Sequence, residues 1–127
     1  MDIRDLPEMT RGYLVAALFT DLPDGEAGSG DFEPKSWAYL ARTPKATRDE
    51  AGQVCYAFAE AHAADLADYP AFAAGSDLWY SRNGHGCGFF ECDHTEKDAG
   101  ERLQDAARRL GSRSLVRTRG GWFRFDL

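Results

Sequence analysis

Residues 77–91 read Asp77-Leu78-Trp79-Tyr80-Ser81-Arg82-Asn83-Gly84-His85-Gly86-Cys87-Gly88-Phe89-Phe90-Glu91. Asn-Gly flanked by apolar runs is the strongest short-range hairpin signal, because both residues tolerate the positive φ of a tight turn. The pattern predicts strands Leu78–Arg82 and Cys87–Cys92 around Asn83-Gly84. Alternation then places Leu78, Tyr80, Cys87 and Phe89 on one face, with Trp79, Ser81, Gly86, Gly88, Phe90 and Cys92 on the other. In this register Arg82 faces His85 and Trp79 faces Gly88. Glycine weakens a strand and marks a close approach, so the Trp79 ring is expected to cover Gly88 as an aromatic covers an edge glycine.

The flanking sequence is mostly helical in pattern. Leu6 to about Thr20 carries Pro7 and Glu8 at its start and Leu14, Ala17 and Leu18 at helical spacing. An acidic loop, Asp21–Glu33, separates it from a single turn of helix around Trp37, Tyr39 and Leu40, which Pro44 ends. Thr47 is the expected N-cap of a helix from Arg48 to about Tyr69, with Val54, Phe58, Ala61 and Leu66 inward and Cys55 at its apolar edge. His62 on that helix is read as a structural histidine. Glu96 to Leu110 forms the next helix, with the stripe Ala99, Leu103, Ala106 and Leu110, and Gly111 stops it. A second hairpin, Ser114–Arg119 and Trp122–Leu127, turns at Gly120-Gly121 and pairs Arg119 with Trp122. Its expected core face is Val116, Thr118, Phe123, Phe125 and Leu127. Its outer face is Leu115, Arg117, Arg119, Trp122, Arg124 and Asp126. The order α-α-β-β-α-β-β predicts a single α+β domain over 1–127, an antiparallel sheet of two hairpins with helices on one face.

Composition narrows the function classes. With 127 residues, 43% hydrophobic and 28% charged, the chain is globular in character and large enough for a core without covalent staples. Three cysteines do not make a disulfide framework and fit a reducing, cytoplasmic setting. The longest apolar run, Tyr13–Phe19, is far short of the ~20 residues of a membrane span, and Met1-Asp2-Ile3-Arg4-Asp5 lacks the pattern of a signal peptide. The net charge of −6 is unevenly spread: residues 101–127 hold 7 Arg against 3 acids. A net acidic surface disfavours nonspecific binding to nucleic acid or anionic membrane.

The first hairpin resembles a stretch of the form F-W-L-T-R-N-G-H-G-A-G-F-W-D found in small proteins encoded by phages and prophages. Trp79, Arg82-Asn83-Gly84-His85-Gly86, Gly88-Phe89 and Glu91 carry the match, with weaker similarity at Tyr13, Ala16-Ala17-Leu18-Phe19-Thr20-Asp21, Cys55 and Phe58. The Arg-rich C-terminal hairpin departs from the acidic ending of that group. The resemblance implies an accessory protein of a mobile element and names no reaction.

Chemistry has two candidate seats. Arg82, Asn83 and His85 at a turn, with Asp93 and His94 beyond it, are suitable types for acid–base work on a phosphate or acyl group. However, the sequence has no phosphate-binding glycine loop, no G-x-S-x-G and no H-E-x-x-H. His85, Cys87, Cys92 and His94 are zinc-ligand types, but Cys92 falls on the opposite face from His85 and Cys87. Neither metal nor cofactor is expected. The binding candidates are Arg117, Arg119, Trp122 and Arg124, joined by Arg82 and His85. Arg and Trp together anchor protein interfaces and also stack on bases.

The expectation is therefore a non-enzymatic interaction protein of phage or mobile-element origin that binds a host protein and blunts a host defence system. The alternatives are a small enzyme or metal site at Arg82-Asn83-Gly84-His85, and a nucleic-acid binder using the C-terminal strip. Elemental analysis of purified protein should find no stoichiometric metal. About one zinc per chain, lost on Cys92→Ser, would promote the metal site instead.

Overall fold

Pro7 presets the φ of a helix start and Glu8 complements its positive end. In the computed structural model, which describes residues 3–22, 26, 31–85, 88–90 and 93–126, helix α1 accordingly runs Glu8–Asp21. It is buried without interruption from Gly12 to Leu18. A helix apolar around its whole circumference belongs at the centre of a fold: α2 Ser36–Leu40, α3 Lys45–Ala61 and α4 Ala71–Asn83 pack against it, and α5 Lys97–Arg109 packs on α4. Strands β1 Leu115–Arg117 and β2 Phe123–Phe125 form a two-stranded antiparallel sheet. One hydrophobic cluster draws on α1 to α5 and on both strands. Among the described residues no helix is long and apolar enough to cross a membrane.

The tightest packing is between α1 and α4. A Cβ on Gly12 would lie 2.0 Å from the carbonyl oxygen of Phe72, and one on Gly75 would lie 1.8 Å from that of Met9. Only glycine permits this approach of backbone to backbone. The hydroxyl of Ser76 donates to the Gly12 carbonyl at 3.2 Å across the same contact. Further along, Tyr13 meets Trp79 edge to face at 5.2 Å, and Phe125 of the sheet packs on both rings. The buried Trp79 indole donates to Thr20 Oγ1 at 2.8 Å.

The first expected hairpin is a helix end. Residues 78–83 belong to α4, so the order of elements is five helices followed by two strands among the described residues. A short apolar run fits both periods, and flanking residues arbitrate. Here Pro70 opens the helix. Gly84, at φ +70°, then closes it with two bonds, His85 N–H to Tyr80 O at 2.8 Å and Gly84 N–H to Ser81 O at 3.4 Å. These are the bonds of a Schellman motif, so Asn83-Gly84 terminates a helix and does not reverse a strand. The second expected strand lies partly outside the described residues, and its described members 88–90 form a turn. Trp79 does not cover Gly88. Gly88, at φ +51°, packs against Ser81, whose hydroxyl accepts the Phe89 N–H at 3.0 Å.

Two smaller expectations change as well. α3 begins at Lys45, before Thr47, and ends at Ala61. Thr47 is no cap: its buried hydroxyl donates to the Phe123 carbonyl at 3.1 Å and ties the sheet to α3. The second hairpin forms, slipped by one residue, with Leu115 opposite Phe125, Val116 opposite Arg124 and Arg117 opposite Phe123. The loop is Arg119-Gly120-Gly121, closed by Thr118 N–H to Trp122 O at 2.8 Å, with Gly121 at φ +81°. A one-residue slip turns a strand over. Leu115 is therefore buried in the core, and Val116 and Thr118 are only half-buried.

If the α1–α4 contact governs stability, Gly75→Ala should cost at least about 1–3 kcal/mol, the usual scale of overpacking. The nearest atom to a Cβ on Gly52 is Thr10 Oγ1 at 4.0 Å. Gly52→Ala should therefore be neutral or gain up to about 1 kcal/mol of helix propensity. Urea denaturation of the two variants checks the contrast.

Candidate functional site

The last turn of α4 holds Arg82 and Asn83, both named above for acid–base chemistry, half-buried against neighbouring elements. Helix ends leave carbonyls without partners, and α5 ends beside them. Arg82 Nε donates to Gly111 O at 2.7 Å and Nη2 to Leu110 O at 3.1 Å, while Nη1 donates to the Tyr13 hydroxyl at 3.0 Å. A guanidinium at a helix C-terminus also meets the negative end of the dipole. Asn83 Nδ2 donates to Trp79 O at 3.0 Å, and its Oδ1 accepts the Arg113 N–H at 2.7 Å. This knot joins the ends of α4 and α5, the buried Tyr13 of α1 and the lead-in to β1.

His85 lies just past the knot and is exposed. Asp93 and His94 are also exposed. The His94 ring packs 5.0 Å from Tyr69, and no contact among the described residues joins it to Arg82, Asn83 or His85. The acid–base constellation expected from sequence is thus not assembled among the described residues. Cys87 and Cys92 lie outside the described residues, and within these no cluster of three or more His, Cys, Asp and Glu is placed to hold a metal. Cys55 is buried beside the Met9 carbonyl at 3.7 Å, and burial pushes its thiol up to about 12. A thiol so held is not a nucleophile at neutral pH. His62 rests on Phe58 at 4.6 Å between ring centroids. The Tyr69 hydroxyl donates to the Asp77 carboxylate, whose pKa burial raises.

The C-terminal strip is divided by the slipped register. Arg117 shares a face with Phe123, lies over that ring at 5.3 Å and pairs with Glu26. Trp122 and Arg124 are on the opposite face, both exposed, with Trp122 47% exposed. Arg119 sits in the loop itself, also exposed. Arg42, which the sequence did not single out, completes the group: its Nη1 donates to Gly121 O at 3.4 Å, and its carbonyl accepts the Phe123 N–H at 2.9 Å. Nothing in the local pattern around Arg42 announces a partner 79 residues later.

Sequence reading also missed a cleft. α3 and α5 stand apart over a space of about 360 Å³ lined mainly by Val54, Ala57, Phe58, Ala61, Ala106 and Leu110. Leu110, expected in the core stripe, is 44% exposed. Ion pairs hold the two sides together: Glu50 with Arg113 at 2.5 Å, and Asp65 with Arg102 at 2.7 Å.

Comparison with protein-family models, curated proteins and solved structures finds no match.

Burial raises Tyr13 to about 12 from its ordinary 10, against the opposing pull of Arg82, and raises Cys55 to about 12 from 9. The unfolded chain gives up both protons earlier than the folded one, so folding loses stability as pH rises. Urea midpoints should be flat up to about pH 9 and fall from there toward about pH 12, with Tyr13 accounting for something on the order of 2 kcal/mol. Cys55→Ala should move the onset of the fall to about pH 10.

Proposed function

We propose that the protein acts by binding another protein, through the turn and outer face of its C-terminal hairpin. One observation carries this reading: Trp122 is held out from the core on a braced turn. Its own N–H donates to Thr118 Oγ1 at 3.2 Å, and Arg42 fastens the neighbouring Gly121. Trp and Arg are among the side chains most enriched as anchors of protein interfaces. Bracing the turn beforehand lowers the entropy that binding must overcome.

The resemblance of residues 79–91 to phage and prophage proteins supports a mobile-element origin, with a bacterial host protein in the cytoplasm as the partner and a defence system as its setting. The sequence's acidic balance and lack of a familiar catalytic motif favour a binding role in this reading. The test is affinity capture from a bacterial host lysate, read by mass spectrometry. Trp122→Ala should reduce recovery of the partner at least tenfold, the effect of losing a strong anchor. Tyr56→Ala, which removes an aromatic that is 67% exposed on α3, should leave recovery unchanged. Recovery insensitive to Trp122 would overturn the reading.

A further inference from the structure

We infer that the surface received by this hairpin is an acidic segment of protein, with carboxylates set around an apolar residue that meets Trp122. The inference rests on the protein-binding reading above and adds the chemistry of the partner. It starts from charge pairing. Asp and Glu outnumber Lys and Arg by 21 to 15 in this chain. Several cations elsewhere have acids: Lys45 has Asp49, Arg102 has Asp65, Arg113 has Glu50 and Arg117 has Glu26. Arg42, Arg119 and Arg124 have no carboxylate partner among the described residues, as is also true of Arg108 and Arg109 at the end of α5; of these, Arg119 and Arg124 flank Trp122 in the chain and Arg42 bonds its neighbour Gly121. The side-chain hydrogen bonds of Arg42 and Arg124 go to backbone carbonyls, those of Gly121 and Phe125. Their remaining N–H groups are available, and a guanidinium fork matches a carboxylate in two parallel bonds.

Spacing favours a short acidic peptide. Trp122 and Arg124 are two residues apart on one strand face, about 6.6–6.8 Å, which is also the repeat of alternate side chains on an extended partner. A nucleic acid meets the same guanidinium groups less well. It needs a basic track along its backbone, and here Arg117, the next arginine along the hairpin, is already neutralised by Glu26. Screening confines charge effects at physiological salt to about 8 Å, so the net charge of −6 does not prevent a local basic patch from taking an acidic segment.

A random display library of 12-residue peptides, panned against the full chain, tests this. The wild type should enrich peptides with two or more Asp or Glu around an apolar residue. Synthetic copies of those peptides should bind at least tenfold more weakly to Trp122→Ala and to the double variant Arg119→Glu/Arg124→Glu. Circular dichroism should show both variants folded, since all three side chains are exposed. Enrichment of neutral or basic peptides that Trp122→Ala no longer binds would overturn the acidic chemistry and leave the protein-binding surface standing. Peptides bound equally by wild type and both variants, or no enrichment at all, would count against the surface itself. Micromolar binding of a 12-nucleotide oligothymidine at physiological salt, lost in the double variant, would overturn the inference in favour of nucleic acid.

Discussion

Gly12 and Gly75 let α1 and α4 meet backbone to backbone, and most of the remaining structure is arranged around that contact. Because neither glycine has a Cβ, the carbonyls of Phe72 and Met9 can approach the opposing helix directly. That closeness brings Tyr13 and Trp79 edge to face and leaves a floor on which Phe125 of the sheet is laid. Larger residues at either glycine would separate the helices, and a close-packed interior does not accommodate such a shift without loss. The central position of α1 follows from the same contact, since its other sides are then covered by α2, α3 and the strands.

The Arg82-Asn83-Gly84 corner is the second organiser. Gly84 ends α4 in a conformation that other residues adopt at a penalty. Arg82 and Asn83 can then reach outward from a fixed point to the end of α5, to Tyr13 and to the backbone of Arg113. A residue trio that reads as exposed turn chemistry is therefore a joint between elements distant in sequence. This accounts physically for many of the described residues between Trp79 and Gly88. Trp79 is core, Arg82 and Asn83 bridge, Gly84 terminates and Gly88 makes room for Ser81.

The polar surface has a comparable division of labour. Ion pairs at Glu50–Arg113 and Asp65–Arg102 connect α3 and its following turn to α5 and the segment after it, across an apolar cleft. The exposed Asp65–Arg102 pair contributes little stability by itself, and the half-buried Glu50–Arg113 pair fixes how the segment after α5 meets α3. The arginines near Trp122 keep N–H groups free of carboxylates among the described residues, whereas Arg82 spends its guanidinium on the end of α5 and on Tyr13. That contrast, together with the exposed indole, is why the hairpin turn rather than the α4 corner is the surface proposed for recognition.

The amino-acid order alone determined where several elements begin or stop. Pro7 and Gly111 bounded helices, while Pro44, expected to end the short helix, lies at the start of α3; the short helix at Trp37 and the amphipathic α5 were readable from spacing, and a C-terminal hairpin was readable from Gly120-Gly121. These are local effects of φ restriction, hydrogen-bond donors and apolar period, and they act wherever the residues occur. Leu78, Trp79 and Ser81 suit either period; Pro70 and Gly84 bound a helix there, and the tertiary structure adds the docking of Gly75 against α1 that only the helix permits. The tertiary structure likewise decided the hairpin register, because Thr47 and Arg42 hold Phe123 from outside the sheet and select the pairing that buries Leu115. It decided finally which arginines remain for a partner, since Arg82 is consumed by carbonyls from another helix and Arg42 arrives from a distant loop. Such contacts depend on the relative positions of whole elements, which no local pattern specifies.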